Sequence, residues 1–124
     1  MVKIDKIKEI LYSLKEVKFA YLFGSYAKQT QNSESDVDIA VYIKNEFLTF
    51  DTKLKIHHTL EVSLNKEIDL ISLNNIKNFA LLEAIFNEGI LIKESPEDER
   101  VMFELYKEHE MLDYKEFKRI LDVA

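Results

Sequence analysis

Cysteine is absent from this chain, and its 124 residues hold only one proline and two glycines. Without cysteine there is no disulfide and no thiolate metal site. So little glycine and proline leaves no material for a long flexible linker. An excess of positive charge is missing too. Lys and Arg number 17 against 23 Asp and Glu, a formal net charge of −6. Sequence-independent nucleic-acid binding rests on a basic patch, so no direct nucleic-acid partner is expected. There is also no long apolar run. The start, Met-Val-Lys-Ile-Asp-Lys-Ile-Lys-Glu, is patterned as an amphipathic helix and not as an export signal. The expectation is a cytoplasmic protein with no membrane partner.

What is present fits one globular domain over residues 1–124, with a helical tail from about 96 to 124. Hydrophobic residues make up 47% and charged residues 32%. A chain of this length buries one modest core and has no room for a separate substrate domain.

Ile4, Ile7, Leu11 and Leu14 recur at helical spacing and predict a helix over 3–15 with one buried stripe. Val17 to Phe23 is aromatic and β-branched and reads as a strand. Gly24-Ser25 interrupts it, and the polar stretch from Lys28 to Ser35 reads as a loop that a helical turn after Ser25 can open. Asp36 to Ile43 is a second strand, 50–64 a helix, Glu67 to Leu73 a third strand, Ile76 to Glu88 a helix and Ile90 to Lys93 a fourth strand. Gly89 stands where a helix cap belongs. Ser95-Pro96-Glu97-Asp98 has the composition of a helix start. The tail beyond it is helical, with room for a break near Asp113. The sum is a mixed α/β fold, a sheet of about four strands flanked by helices.

The chemistry concentrates on a few acids. Asp36 and Asp38 are two apart on a strand, so both carboxylates point the same way while Val37, Ile39 and Val41 point elsewhere. Like charges side by side on a sheet repel, and a divalent cation offsets that directly. Asp69 lies between Ile68 and Leu70, which should face the core and leave Asp69 on the opposite face. If its strand neighbours that of Asp36, three carboxylates converge. Such a set can hold two metals, or hold one and supply a general base. Gly24 lets a phosphate approach the backbone, and Ser25 adds a hydroxyl and an N–H.

Taken singly, each feature has a bland explanation. Asp-x-Asp is common at solvated strand ends, Gly-Ser at turns, and one Asp on a strand can simply be exposed. Joint order and spacing carry the argument. His57 and His58 are adjacent on a helix and face different directions, and His109 stands alone, so all three are given structural or solvent roles. Tyr26 follows Ser25 and could stack on a base or pack in the core.

Leu22-Phe23-Gly24-Ser25-Tyr26-Ala27-Lys28, with ten residues between Ser25 and Asp36-Val37-Asp38-Ile39, resembles the Gly-Ser-x10-Asp-x-Asp signature of the DNA polymerase β-like nucleotidyltransferases. The short length is similar to that of the minimal nucleotidyltransferase (MNT) branch. Glu67-Ile68-Asp69-Leu70-Ile71-Ser72-Leu73, the helix to Gly89 and the strand after it also look like that branch. The resemblance implies that Gly24, Ser25 and Lys28 hold the triphosphate of ATP. It implies that Asp36, Asp38 and Asp69 bind magnesium, two ions, and that Asp69 accepts the proton of the acceptor hydroxyl. Many relatives have Arg-Gly where this chain has Lys28-Gln29, and Gln29 removes backbone freedom there. The MNT branch also implies a partner, a HEPN-domain ribonuclease toxin that is silenced by AMP placed on a tyrosine, in a hetero-oligomer with its antitoxin. Two rivals remain at this point: transfer to a small aminoglycoside-type acceptor, and neutralisation of a toxin by contact alone.

Overall fold

The computed structural model describes residues 2–32 and 34–123. It divides into two compact units, Met1–Glu94 and Ser95–Ala124. In the first, α1 (Ile4–Ser13) leads into β1 (Val17–Phe23), the short helix α2 (Gly24–Lys28) and β2 (Val37–Ile43). After a 3-10 turn at Asn45–Phe47 come α3 (Phe50–Leu64), β3 (Ile68–Ser72), α4 (Phe79–Glu88) and β4 (Ile90–Lys93). The four strands form one mixed sheet in the order β3-β2-β1-β4. β1 is antiparallel to both β2 and β4, and β2 is parallel to β3. This is the mixed α/β architecture expected from the sequence.

Alternation along the strands sets the two faces of the sheet. Val37, Ile39, Val41 and Ile43 of β2 are fully buried and join Ile7 and Leu11 of α1 and Ile56 and Leu60 of α3 in one apolar cluster. On the other face Tyr21 meets Phe86 of α4 with ring centroids 6.0 Å apart, and Phe19 stacks on Tyr42 at 4.9 Å. Burying each of these large side chains contributes about 1.5–3 kcal/mol. Tyr26 is buried in the first cluster, so its ring packs in the core and is not offered to a base.

Several ends depart from the expected pattern for local reasons. The helix expected from Ile76 begins at Phe79, because the Asn78 side chain accepts the N–H of Leu81 at 3.1 Å and caps it there. Gly89 does follow that helix, but in an extended conformation with φ −74°. Its need for glycine is space, since a Cβ would collide with the carbonyl of Ile85. No basic residue stands in the last turn of α1. Lys93 supplies the charge from β4, where its buried ammonium donates to the carbonyls of Leu11 at 3.0 Å and Leu14 at 2.9 Å. Burial pulls its pKa down from the ordinary lysine value.

The second unit is built on α5, an unbroken helix over Glu99–Val123. The break allowed for near Asp113 does not occur. Residues 97–124 contain neither glycine nor proline. Ion pairs at helical spacing, Arg100–Glu104 at 3.2 Å and Lys107–Glu110 at 3.0 Å, lie along the helix. The helix begins three residues later than Ser95-Pro96 suggested, yet the Ser95 hydroxyl still accepts the N–H of Arg100 at 3.2 Å.

Candidate active site

β1, β2 and β3 lie side by side, and their register brings the distant sequence segments together. Phe23 pairs with Asp38, and Asp38 pairs with Asp69. Registered neighbours on adjacent strands share a face and sit about 5 Å apart. Asp38 and Asp69 therefore sit side by side, close enough for each carboxyl to act on the other. Burial, then the charge of Asp69, its hydrogen bond, and the charge of Asp36 together push Asp38 up to about 6. Asp38 is half-buried, while Asp36 and Asp69 are exposed. Asp36 lies just before β2 and not within it, so its carboxylate acts on Asp38 through its charge. Among the described residues, no three or more His, Cys, Asp or Glu side chains are already gathered as a metal cage.

Gly24 opens α2 directly from the end of β1, with φ +69°. That left-handed conformation suits glycine. The space does as well, since a Cβ at Gly24 would run into the Asp38 carboxylate. The main chain at Gly24 therefore passes directly against the Asp38 carboxylate. Lys28, in the last turn of α2, holds Glu88 of α4 at 3.0 Å, with both side chains more than half exposed. Gln29 then closes α2 in the left-handed conformation, φ 58° and ψ 35°, the geometry a glycine would take without strain.

Other residues fix the site without belonging to it, and sequence reading did not single them out for this. Asn74 accepts the N–H of Ile43 at 3.0 Å and donates to its carbonyl at 2.7 Å, tying the end of β2 to the chain beyond β3. His57 of α3 lies 2.7 Å from the carbonyl of Ile68, the residue before Asp69. The sequence offered His57 only a structural or solvent role and gave no sign of this partner.

With this geometry in hand, comparison places the chain plainly. Residues 5–98 match the family model described as polymerase beta, nucleotidyltransferase, and the chain belongs to that family. A stretch of 90 residues is 40% identical to MJ1379 of Methanocaldococcus jannaschii, a protein named as a candidate protein adenylyltransferase. It covers 72% of this chain and 90% of that protein. Among solved structures, a chain of a toxin–antitoxin complex with AMP-PNP matches with a TM-score of 0.73 and 25% identity, over 98% of both chains. A chain from the complex of a tri-AMPylated HEPN toxin with its MNT antitoxin, from Shewanella oneidensis, matches in fold. Its TM-score is 0.65 at 23% identity, covering 97% of this chain and 94% of that one.

Proposed function

We propose that the chain acts as a single nucleotidyltransferase domain, an antitoxin that moves AMP from ATP onto a tyrosine hydroxyl of a cognate HEPN toxin with which it assembles. The observation that carries this reading is the Asp38–Asp69 pair, in register on neighbouring strands and pressed against the Gly24 turn. The reading is supported by membership of the nucleotidyltransferase family and by 40% identity to a candidate protein adenylyltransferase. Likeness to a chain from a toxin–antitoxin complex that binds AMP-PNP supports ATP as donor and a toxin as partner.

Each residue has a task in the transfer. Gly24 brings the backbone close enough for phosphate oxygens to approach, and Ser25 adds its N–H and hydroxyl. Lys28 is free to turn from Glu88 to a phosphate, because an exposed ion pair holds it by no more than about 1 kcal/mol. Asp38 and Asp69, with Asp36 beside them, fit magnesium. Burial, and then the like charge of Asp69, disfavours the Asp38 carboxylate until a cation offsets it, and magnesium takes one or two carboxylates together with phosphate oxygens and water. When bound, the ion supplies charge stabilisation at the transferred phosphoryl group. Asp69, the exposed partner of the pair, is open to an incoming acceptor and takes the proton of its hydroxyl. The acceptor oxygen forms a bond to the α-phosphorus as the α–β phosphoanhydride bond breaks, and pyrophosphate leaves.

Calorimetry with ATP tests the division of labour. Binding is expected to need magnesium, because three carboxylates otherwise repel the triphosphate. Equal affinity with and without the metal would remove the carboxylates from the site.

A further inference from the structure

β3 is an edge strand, and one of its residues is held in an unusual way. Glu67 accepts the N–H of Val37, and Leu73 donates to the carbonyl of Val41, so these odd-numbered residues turn their main chain toward β2. Alternation then turns the N–H and carbonyl of Ile68 outward, where no further strand lies among the described residues. Side chains of α3 take that strand's place. The Ile68 N–H donates to Oε2 of Glu61 at 3.2 Å, and Nε2 of His57 stands 2.7 Å from the Ile68 carbonyl. A carbonyl only accepts, so Nε2 carries the proton and donates. The same Nε2 lies 3.4 Å from Glu61 Oε2, one helical turn away on α3. The two side chains thus grip both main-chain groups of the residue that precedes Asp69.

We propose that His57 and Glu61 are positioning residues for the transfer. They fix the start of β3 and so hold the Asp69 carboxylate in register against Asp38. The inference rests on the adenylylation reading and adds residues outside the carboxylate cluster to it. An edge strand with unmade main-chain bonds frays, and a shift of its register by one residue would turn Asp69 to the opposite face. The core does not need this grip. Ile56, Leu60 and Leu64 of α3 already bury that helix. The side chains of His57 and Glu61 remain more than a third exposed. Orientation errors of this kind lower the rate of the chemical step more than they weaken nucleotide binding.

The test uses paired variants with the toxin that the parent protein modifies as acceptor. His57→Leu and Glu61→Leu remove the hydrogen bonds. His57→Gln and Glu61→Gln keep a donor to the Ile68 carbonyl and an acceptor for its N–H. The leucine variants are expected to lower kcat for AMP transfer about tenfold or more, with KM for ATP and the melting temperature near those of the parent. The glutamine variants should recover most of the rate. Folded leucine variants that transfer at the parent rate, or glutamine variants as slow as the leucine ones, would overturn the inference while leaving the adenylylation reading intact. A parent that neither modifies the toxin nor turns ATP into AMP and pyrophosphate would bring down that reading and the inference with it.

Discussion

Alternate residues of β2 obey opposite rules. Val37, Ile39, Val41 and Ile43 are fully buried among the side chains of α1 and α3, and every contact there favours the folded chain. One residue along, on the other face, Asp38 stands in register beside Asp69, and burial, then the like charge of Asp69, pushes its carboxyl up to about 6. The apolar face secures the strand, and that security lets the opposite face hold an unfavourable arrangement. Under the proposed function a cation and a nucleotide relieve it, and the site lies where the local rules of a stable sheet are broken. The two faces should therefore separate cleanly under mutation.

The largest contrast is expected between neighbours. Asp38→Asn should lower AMP transfer by about a hundredfold to a thousandfold, the scale seen when one group that stabilises developing charge is removed. The melting temperature of the metal-free protein should hold or rise, because a repulsion disappears. Ile39→Ala should do the reverse. It should cost about 2–5 kcal/mol of stability through the cavity it leaves, while the fraction that stays folded remains active. Labelled transfer from α-labelled ATP, together with calorimetric melting, checks both. If Asp38→Asn were the less stable protein, the carboxylate would belong to the scaffold.

A smaller effect follows from the pH dependence of the metal-free protein. Asp38 is an acid whose folded value lies above its ordinary one, so its contribution to stability is fully present below the usual carboxylate range. That contribution is lost as pH rises through about 6. Melting should therefore occur at a higher temperature near pH 5 than near about pH 7.5 on account of this group. The measurement is the difference between the parent and Asp38→Asn, which isolates this carboxyl from every other group in the chain. That difference should be greatest at the higher pH. An equal response of both proteins would show that the pair is not the source.

The smallest expected change lies in the turn. Gln29 holds φ 58°, a left-handed conformation that disfavours a side chain by about 1–2 kcal/mol. Gln29→Gly relieves that cost but adds freedom to the unfolded chain. The net gain should be about 0.5–1 kcal/mol, read as a modest rise in denaturation midpoint with transfer unchanged or faster. A loss of stability would mean that the glutamine side chain contributes contacts worth more than the strain.

The same contrast explains what the sequence could and could not tell. The face assignments within β2 were legible, because a period of two needs only Asp36-Val37-Asp38-Ile39 to read. The fourth strand and the helix over 50–64 were legible from pattern and length as well. The contact of Asp69 with Asp38 was only conditional, since it depends on β3 lying parallel beside β2, and no local pattern records strand order. His57, Glu61 and Asn74 were not legible as supports. Each satisfies main-chain groups of a segment it reaches only in the folded state. The helix end at Phe79 turned on one Asn78 side chain competing with the apolar stripe that suggested Ile76. The unbroken α5 showed that one exposed Asp does not end a helix that lacks glycine and proline.

The central claim is that the chain is a catalyst and does not merely cover its partner. The direct measurement mixes an excess of the HEPN toxin with a substoichiometric amount of this protein, ATP and magnesium, and follows the intact mass of the toxin. The account predicts that most toxin molecules gain one or more AMP units on tyrosine and stay silenced after separation. It also predicts that Asp69→Asn, which keeps the packing of Ile68 and Leu70, binds the toxin but adds no mass at the same dose. Full protection by Asp69→Asn at that dose, with the toxin mass unchanged, would contradict catalysis and leave neutralisation by contact as the mechanism.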